Sequence, residues 1–198
     1  MKKVFFTLVA MVMVMTASAQ KYNLPINEYG DCVFIDNYTN SSEASLNYMK
    51  VKTWVNNQGF KTMTLTRDEK DKAVAYTVTK NTKSSYNPFA GQFTEDLIIN
   101  LTFEFEGNSV KCTFQNMQIQ EFYAGYGTNN KLTSVPQMIQ NLQAAEKAVA
   151  DAEASGDKKA AKKVKKENKD LIENSTETLV KASTEIENMR NNLRTLLQ

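Results

Sequence analysis

The chain has 198 residues, with 24 lysines and arginines against 22 aspartates and glutamates, two cysteines and no histidine. Without histidine, the commonest general base near neutral pH and the commonest metal ligand are both missing, and the cysteines form no CxxC zinc or redox motif. Taking away a leader that holds two of the lysines leaves 22 basic against 22 acidic residues, so no net field draws the rest toward nucleic acid or anionic lipid.

That leader comes first in the chain. Lys2 and Lys3 precede an apolar run from Val4 to Met15 broken only by Thr7, and Ala17-Ser18-Ala19 supplies a small-x-small cleavage site. Residues 1–19 therefore read as a signal peptide cut after Ala19. The apolar run is too short to span a bilayer comfortably, and no stop-transfer segment follows it. No cysteine stands at the cleavage point, so lipid anchoring in the lipoprotein manner is not expected. The mature chain, about 179 residues, is expected in the periplasm or outside the cell without a transmembrane segment.

Residues 31–36 read as a short strand. Asn40-Ser41-Ser42-Glu43 fits a capping box, with Ala44, Tyr48, Val51 and Val55 following at helical spacing and Trp54 on the flank, which predicts a helix over 41–57. Gly59 is placed to end it in a left-handed cap. Strands are predicted at 60–66, 73–80, 96–106 and 110–120. Leu97, Ile99, Leu101, Phe103 and Phe105 share one face of the fourth, while Asn100, Thr102 and Glu104 share the other. Gly107-Asn108 is a tight-turn signal before the fifth strand. There the apolar set Val110, Cys112, Phe114 changes parity to Met117 and Ile119, which places a bulge near Asn116. The polar face, with Thr77, Thr79, Asn100, Thr102, Lys111, Thr113 and Gln115, is expected to be solvated.

Beyond a loop over 125–130 the texture changes, and residues 134–198 contain no aromatic residue. Ser134-Val135-Pro136-Gln137 starts a helix whose stripe is Met138, Leu142, Ala145, Val149 and Ala152, expected to pack on the sheet. Ser155-Gly156-Asp157 turns or frays it. Seven lysines from Lys158 to Lys169 then mark a solvated helical face. Asn174-Ser175-Thr176-Glu177 repeats the capping pattern, so one helix or two are both open there. Ile172, Leu179, Ile186 and Leu193 recur every seven residues, with Ala182, Met189 and Leu196 in the companion register, roughly three heptads of a coiled-coil-like seam.

This order predicts an α+β fold. A five-stranded antiparallel sheet carries helices 41–57 and 135–154 on one face, in a domain 20–154, and a C-terminal helical extension 155–198 follows. Residues 28–153, through that element order and the helix of Tyr48, Val51, Trp54 and Val55 followed by strands carrying Asp68-Glu69-Lys70 and Asp71-Lys72, resemble a domain-of-unknown-function family. That family has a TATA-binding-protein-like fold and occurs in exported Bacteroidetes proteins. The resemblance implies a fold and brings no catalytic residues, and its name implies no DNA binding. It also implies that the first and fifth strands are neighbours, which would bring Cys32 and Cys112 within bridging reach. Composition alone leaves a disulfide and two buried thiols both open.

No nucleophile constellation, metal-ligand spacing or cofactor motif emerges. Glu104 and Glu106 share a strand face, but an open sheet offers no cleft to exclude water from a hydrolytic pair. The expectation is a non-enzymatic interaction or structural module of the bacterial envelope. It would associate with itself or another envelope protein through Leu179, Ile186, Met189, Leu193 and Leu196. The alternative is a binder of a glycan or cell-wall fragment. It would use Tyr86, Phe89, Tyr123 and Tyr126 as stacking rings in the loops over 84–93 and 121–127. In the plainer reading, Phe89, Phe93 and Phe122 fold back to cap the sheet ends.

Overall fold

Period-2 alternation in the central strands requires a sheet with one buried face, and the computed structural model, which describes residues 22–89, 91–125 and 127–198, has one. The leader at 1–19 lies outside the described residues. Among those residues are β1 Phe34–Thr39, α1 Ala44–Asn57, β2 Thr62–Glu69, β3 Ala73–Asn87, β4 Gly91–Glu106, β5 Ser109–Gly125, β6 Gly127–Ser134, α2 Val135–Ala154 and α3 Lys158–Leu197. The strands form one antiparallel sheet in the order β1-β5-β4-β3-β2, with β6 also paired to β5. The α+β class holds, with a sixth strand where a loop was expected. Gly127–Ser134 pairs on one side only and carries no apolar alternation, so nothing in its composition announces a strand.

The chain divides into two compact units. The sheet unit is Ile26–Pro136 with Thr184–Gln198; the other joins Gln137–Ser183 to the segment ending at Pro25. Val74, Tyr76 and Val78 of β3, Leu97 to Phe105 of β4 at alternate positions, and Val110, Cys112 and Phe114 of β5 are all buried on one face. Trp54 and Tyr48 of α1 set their rings edge-on to Phe103 and Phe105, at centroid distances of 6.1 and 5.8 Å. α1 starts at Ala44, three residues later than expected, because Asn40 does not cap it. The Asn40 side chain instead accepts from Ser42 N, and Glu43 makes no side-chain cap bond. Gly59, at φ +62°, turns the chain out of the helix as its position predicts.

The second helix on this face is the end of α3. Ile186, Met189, Leu193 and Leu197 are buried, and Arg190 sends its guanidinium to Asp36 as two hydrogen bonds of 2.7 Å. The same guanidinium lies 4.6 Å from the centre of the Phe34 ring, and the Tyr38 hydroxyl donates to the Arg190 carbonyl at 3.4 Å. Burial, with the Asp36 carboxylate second, pushes the Tyr38 phenol up to about 12. At the helix end, Asn40 Nδ2 donates to the Leu197 carbonyl (2.8 Å) and to Asn47 Oδ1 (3.0 Å), so a fully buried Asn47 is satisfied and an open C-terminal carbonyl is capped.

The other unit contains 137–154 of α2, expected on the sheet but grouped with 158–183 of α3. Asp157 caps α3 through Lys159 N and Ala160 N at 2.9 and 3.1 Å, and Lys165 bridges to Glu153 at 3.3 Å. Tyr22 and Leu24 are buried here, and Asn23 N donates to Ser183 Oγ at 2.9 Å. α3 runs unbroken through Asn174, so the capping pattern there opens no new helix. The stripe expected to await a partner is covered within the chain: Leu179, Ile186, Met189 and Leu193 are buried and Leu196 is half-buried.

β1 and β5 are neighbours, yet the register sets Cys112 opposite Asp36, not opposite Cys32. Cys32 lies four positions further along, about 13 Å at roughly 3.3 Å per residue, beyond the reach of about 7 Å that a bridge allows. Both cysteines are free and buried. Burial pushes Cys32 up to about 12 and, with Asp36 adding to it, raises Cys112 further. The bulge expected at Asn116 is present, with the residue at φ +53° and the register slipping between Ile98 and Asn100.

Two outcomes follow from this packing. Asp36→Ala leaves Arg190 half-buried and unpaired, so urea unfolding should show a loss of about 2–3 kcal/mol, with Asp36→Leu/Arg190→Met recovering part of it. A double-mutant coupling below about 0.5 kcal/mol would rank the pair with ordinary surface ion pairs. Denatured protein kept free of reductant should titrate two thiols per chain, while the native fold protects both; absence of thiols after denaturation would restore the bridge.

Candidate functional site

Past the helix-covered core, β3, β4 and β5 continue as a mainly polar ladder, Lys83 pairing with Glu95, Ser85 with Phe93 and Asn87 with Gly91. The segment expected as a loop over 84–93 is therefore a hairpin with a short turn, and the one over 121–127 is mostly strand. The sequence in these stretches is rich in serine, asparagine and glutamine, so the backbone ladder forms without the alternation that would betray it.

Register decides where the four candidate rings lie. Phe93 pairs with Tyr123, and their rings meet at 4.6 Å and 45°, with Lys83 Nζ 5.8 Å from the Phe93 centroid. Tyr86 pairs with Gln92, one residue out of step, which puts it on the opposite face and leaves it 75% exposed. Phe89 sits in the turn, 89% exposed, its backbone N donating to Asn87 Oδ1 at 2.8 Å. Tyr126 lies outside the described residues. The described rings thus do not converge around one concavity. Phe93, named only as a capping ring, is the partner that Tyr123 has; its odd-numbered step with Leu97 and Ile99 was the available signal.

Where the core ends, two carboxylates are buried and both are held. Asp96 pairs with Lys61 and accepts from Asn81 Nδ2 at 2.9 Å, while Glu95 accepts from Thr82 Oγ1 at 2.9 Å. Beside α1, Asp68 takes hydrogen bonds from Lys52 (2.8 Å) and from the Tyr48 hydroxyl; the Lys52 ammonium, then Tyr48, holds the Asp68 pKa below the usual carboxylate range. These ties hold α1 and the β2–β3 edge.

Glu104 and Glu106 do share the outer face. With Asn37, Ser109 and Lys111 they line an open hollow of about 480 Å³, in which Glu104 is bound by Lys111 at 2.9 Å. Nearby on that face Thr77 donates to Asn100 at 2.9 Å and Thr62 to Thr79 at 2.8 Å. The lysine run occupies the start of α3, diluted by pairs such as Lys163 with Glu167 and Lys169 with Glu173. Among the described residues no helix is long and apolar enough to cross a membrane, and no three cysteine or carboxylate side chains gather as a metal site.

No family model matches the chain, and no curated protein matches it. Among solved structures it is similar to a TBP-like protein from Parabacteroides distasonis ATCC 8503, with a TM-score of 0.54 and 10% identity over 88% of this chain and 97% of that one. A DUF4468 family protein from Bacteroides ovatus ATCC 8483 is similar at a TM-score of 0.40 and 10% identity, over 57% of this chain and 68% of that one. At such identity the first likeness speaks for the fold alone. It bears out the architecture expected from element order: the chain carries a TBP-like α+β fold.

Proposed function

We propose that the chain is an exported, non-enzymatic interaction module of the bacterial envelope, and that it meets a protein partner through the β3–β4 hairpin. The observation that carries this reading is the hairpin tip, where Tyr86 and Phe89 are 75% and 89% exposed. Exposed aromatic side chains held at a hairpin tip suit the anchor role in protein interfaces, since they bring large contact area at little entropic cost. Export rests on the leader at 1–19. The C-terminal stripe contributes cohesion and not a free surface, because its apolar residues are already covered. A saccharide gripped by Tyr86, Phe89 and Tyr123 has weaker support, since Tyr86 and Tyr123 occupy opposite faces.

A photoreactive phenylalanine analogue placed at Phe89 in the mature chain should give a discrete cross-linked protein in envelope preparations. The same analogue at exposed Glu43 should not, and Tyr86→Ala should weaken the adduct. Equal patterns at the two positions, or no adduct at Phe89, would count against the hairpin as the contact surface.

A further inference from the structure

In the sheet unit a cleft of about 390 Å³ opens between the C-terminal end of α1, the segment leading into β2, Lys80 of β3 and the later turns of α3. Its volume falls within the roughly 300–1,000 Å³ common for small-ligand sites. Asn57, Gln58, Asn188 and Asn192 bring four side-chain amides to it, with Lys80 and Glu185 as its charges and Phe60 and Met189 as its apolar surface. Glu185, Asn188 and Asn192 follow one another at i, i+3 and i+7, one continuous helical stripe beside the buried Ile186, Met189 and Leu193.

Asn57, Glu185, Asn188 and Asn192 have no hydrogen-bond or ion-pair partner among the described residues. Lys80 spends one hydrogen on the Gln58 carbonyl at 2.8 Å and stands 5.9 Å from the Phe60 ring centre, which leaves two hydrogens for a guest. Asparagine is also a poor helix former, so placing two of them on this stripe costs helix stability that lysine or glutamate would not.

The lining selects a ligand class. One lysine opposed by one glutamate gives no net attraction for phosphate or a polyanion. A single half-buried ring offers no stacking sandwich for a nucleobase. Amides both donate and accept, as do vicinal hydroxyl groups, and a ring beside them suits the C–H face of a pyranose. We infer that this cleft is a binding site for a short neutral saccharide, separate from the aromatic hairpin.

Titration of the mature chain with N,N′-diacetylchitobiose, cellobiose and maltose, followed by NMR, provides the test. At least one should shift the side-chain amide signals of Asn188 and Asn192 saturably, with a Kd of about 1 mM or tighter. Asn188→Ala/Asn192→Ala and, separately, Lys80→Met should each weaken that Kd about tenfold or more with the fold intact by circular dichroism, while Tyr86→Ala/Phe89→Ala leaves it unchanged. No saturable shift with any of the three sugars, or binding that survives both cleft variants, overturns the assignment. Neither result bears on the hairpin contact, which is read by cross-linking.

Discussion

The pairing of Asp36 with Arg190 is the constraint on which the sheet unit depends. The three inner-face positions of β1, Phe34, Asp36 and Tyr38, all engage this one helical residue: the ring lies against the guanidinium, the carboxylate accepts both of its hydrogen bonds, and the phenol caps its carbonyl. An arginine fork fixes direction as well as distance, so a point charge such as lysine could not set the helix in the same orientation. With Arg190 seated, the apolar stripe of the last turns faces the sheet, and Asn40 closes the helix end through the Leu197 carbonyl. The residual exposure of this mostly buried pair, 21% and 13% at the two side chains, keeps its desolvation cost below that of a fully enclosed ion pair.

An antiparallel sheet with one apolar face needs that face covered along its whole width. α1 sets Trp54 and Tyr48 against Phe103 and Phe105 of β4, which leaves the β1 side open. The end of α3 covers β1 instead. Polar satisfaction follows the same geometry: the buried Asn47 is acceptable only because Asn40 and the Ser42 carbonyl meet its amide.

Much of this architecture could be read from residue order. Alternation in Leu97 to Phe105 announced the buried face, the parity change after Phe114 announced the Asn116 bulge, and Gly59 marked the end of α1. The elements that escaped are those whose stability comes from a single neighbour or from distant contacts. β6 pairs with β5 alone among the described strands, and the ends of β3, β4 and β5 extend as mainly polar strands with little period to detect. The heptad stripe of α3 was visible, but an apolar stripe does not name what it packs on. Arg190 and Asp36, 154 residues apart, leave no local mark of their partnership. Tyr86, Phe89 and Tyr123 are exposed, and only strand register could show that Tyr86 and Tyr123 face opposite ways.

The sheet unit is discontinuous along the chain, since Ile26–Pro136 is completed by Thr184–Gln198. Synthesis proceeds from the N-terminus, so every strand is made before the residues that seal the β1 side of the core exist. Without Arg190 in place, Phe34 and Tyr38 lose the side chain and carbonyl they pack on, and the sheet stays incomplete. Loss of even the final few turns to a protease or an early stop codon would therefore remove a wall of the core and not merely a tail.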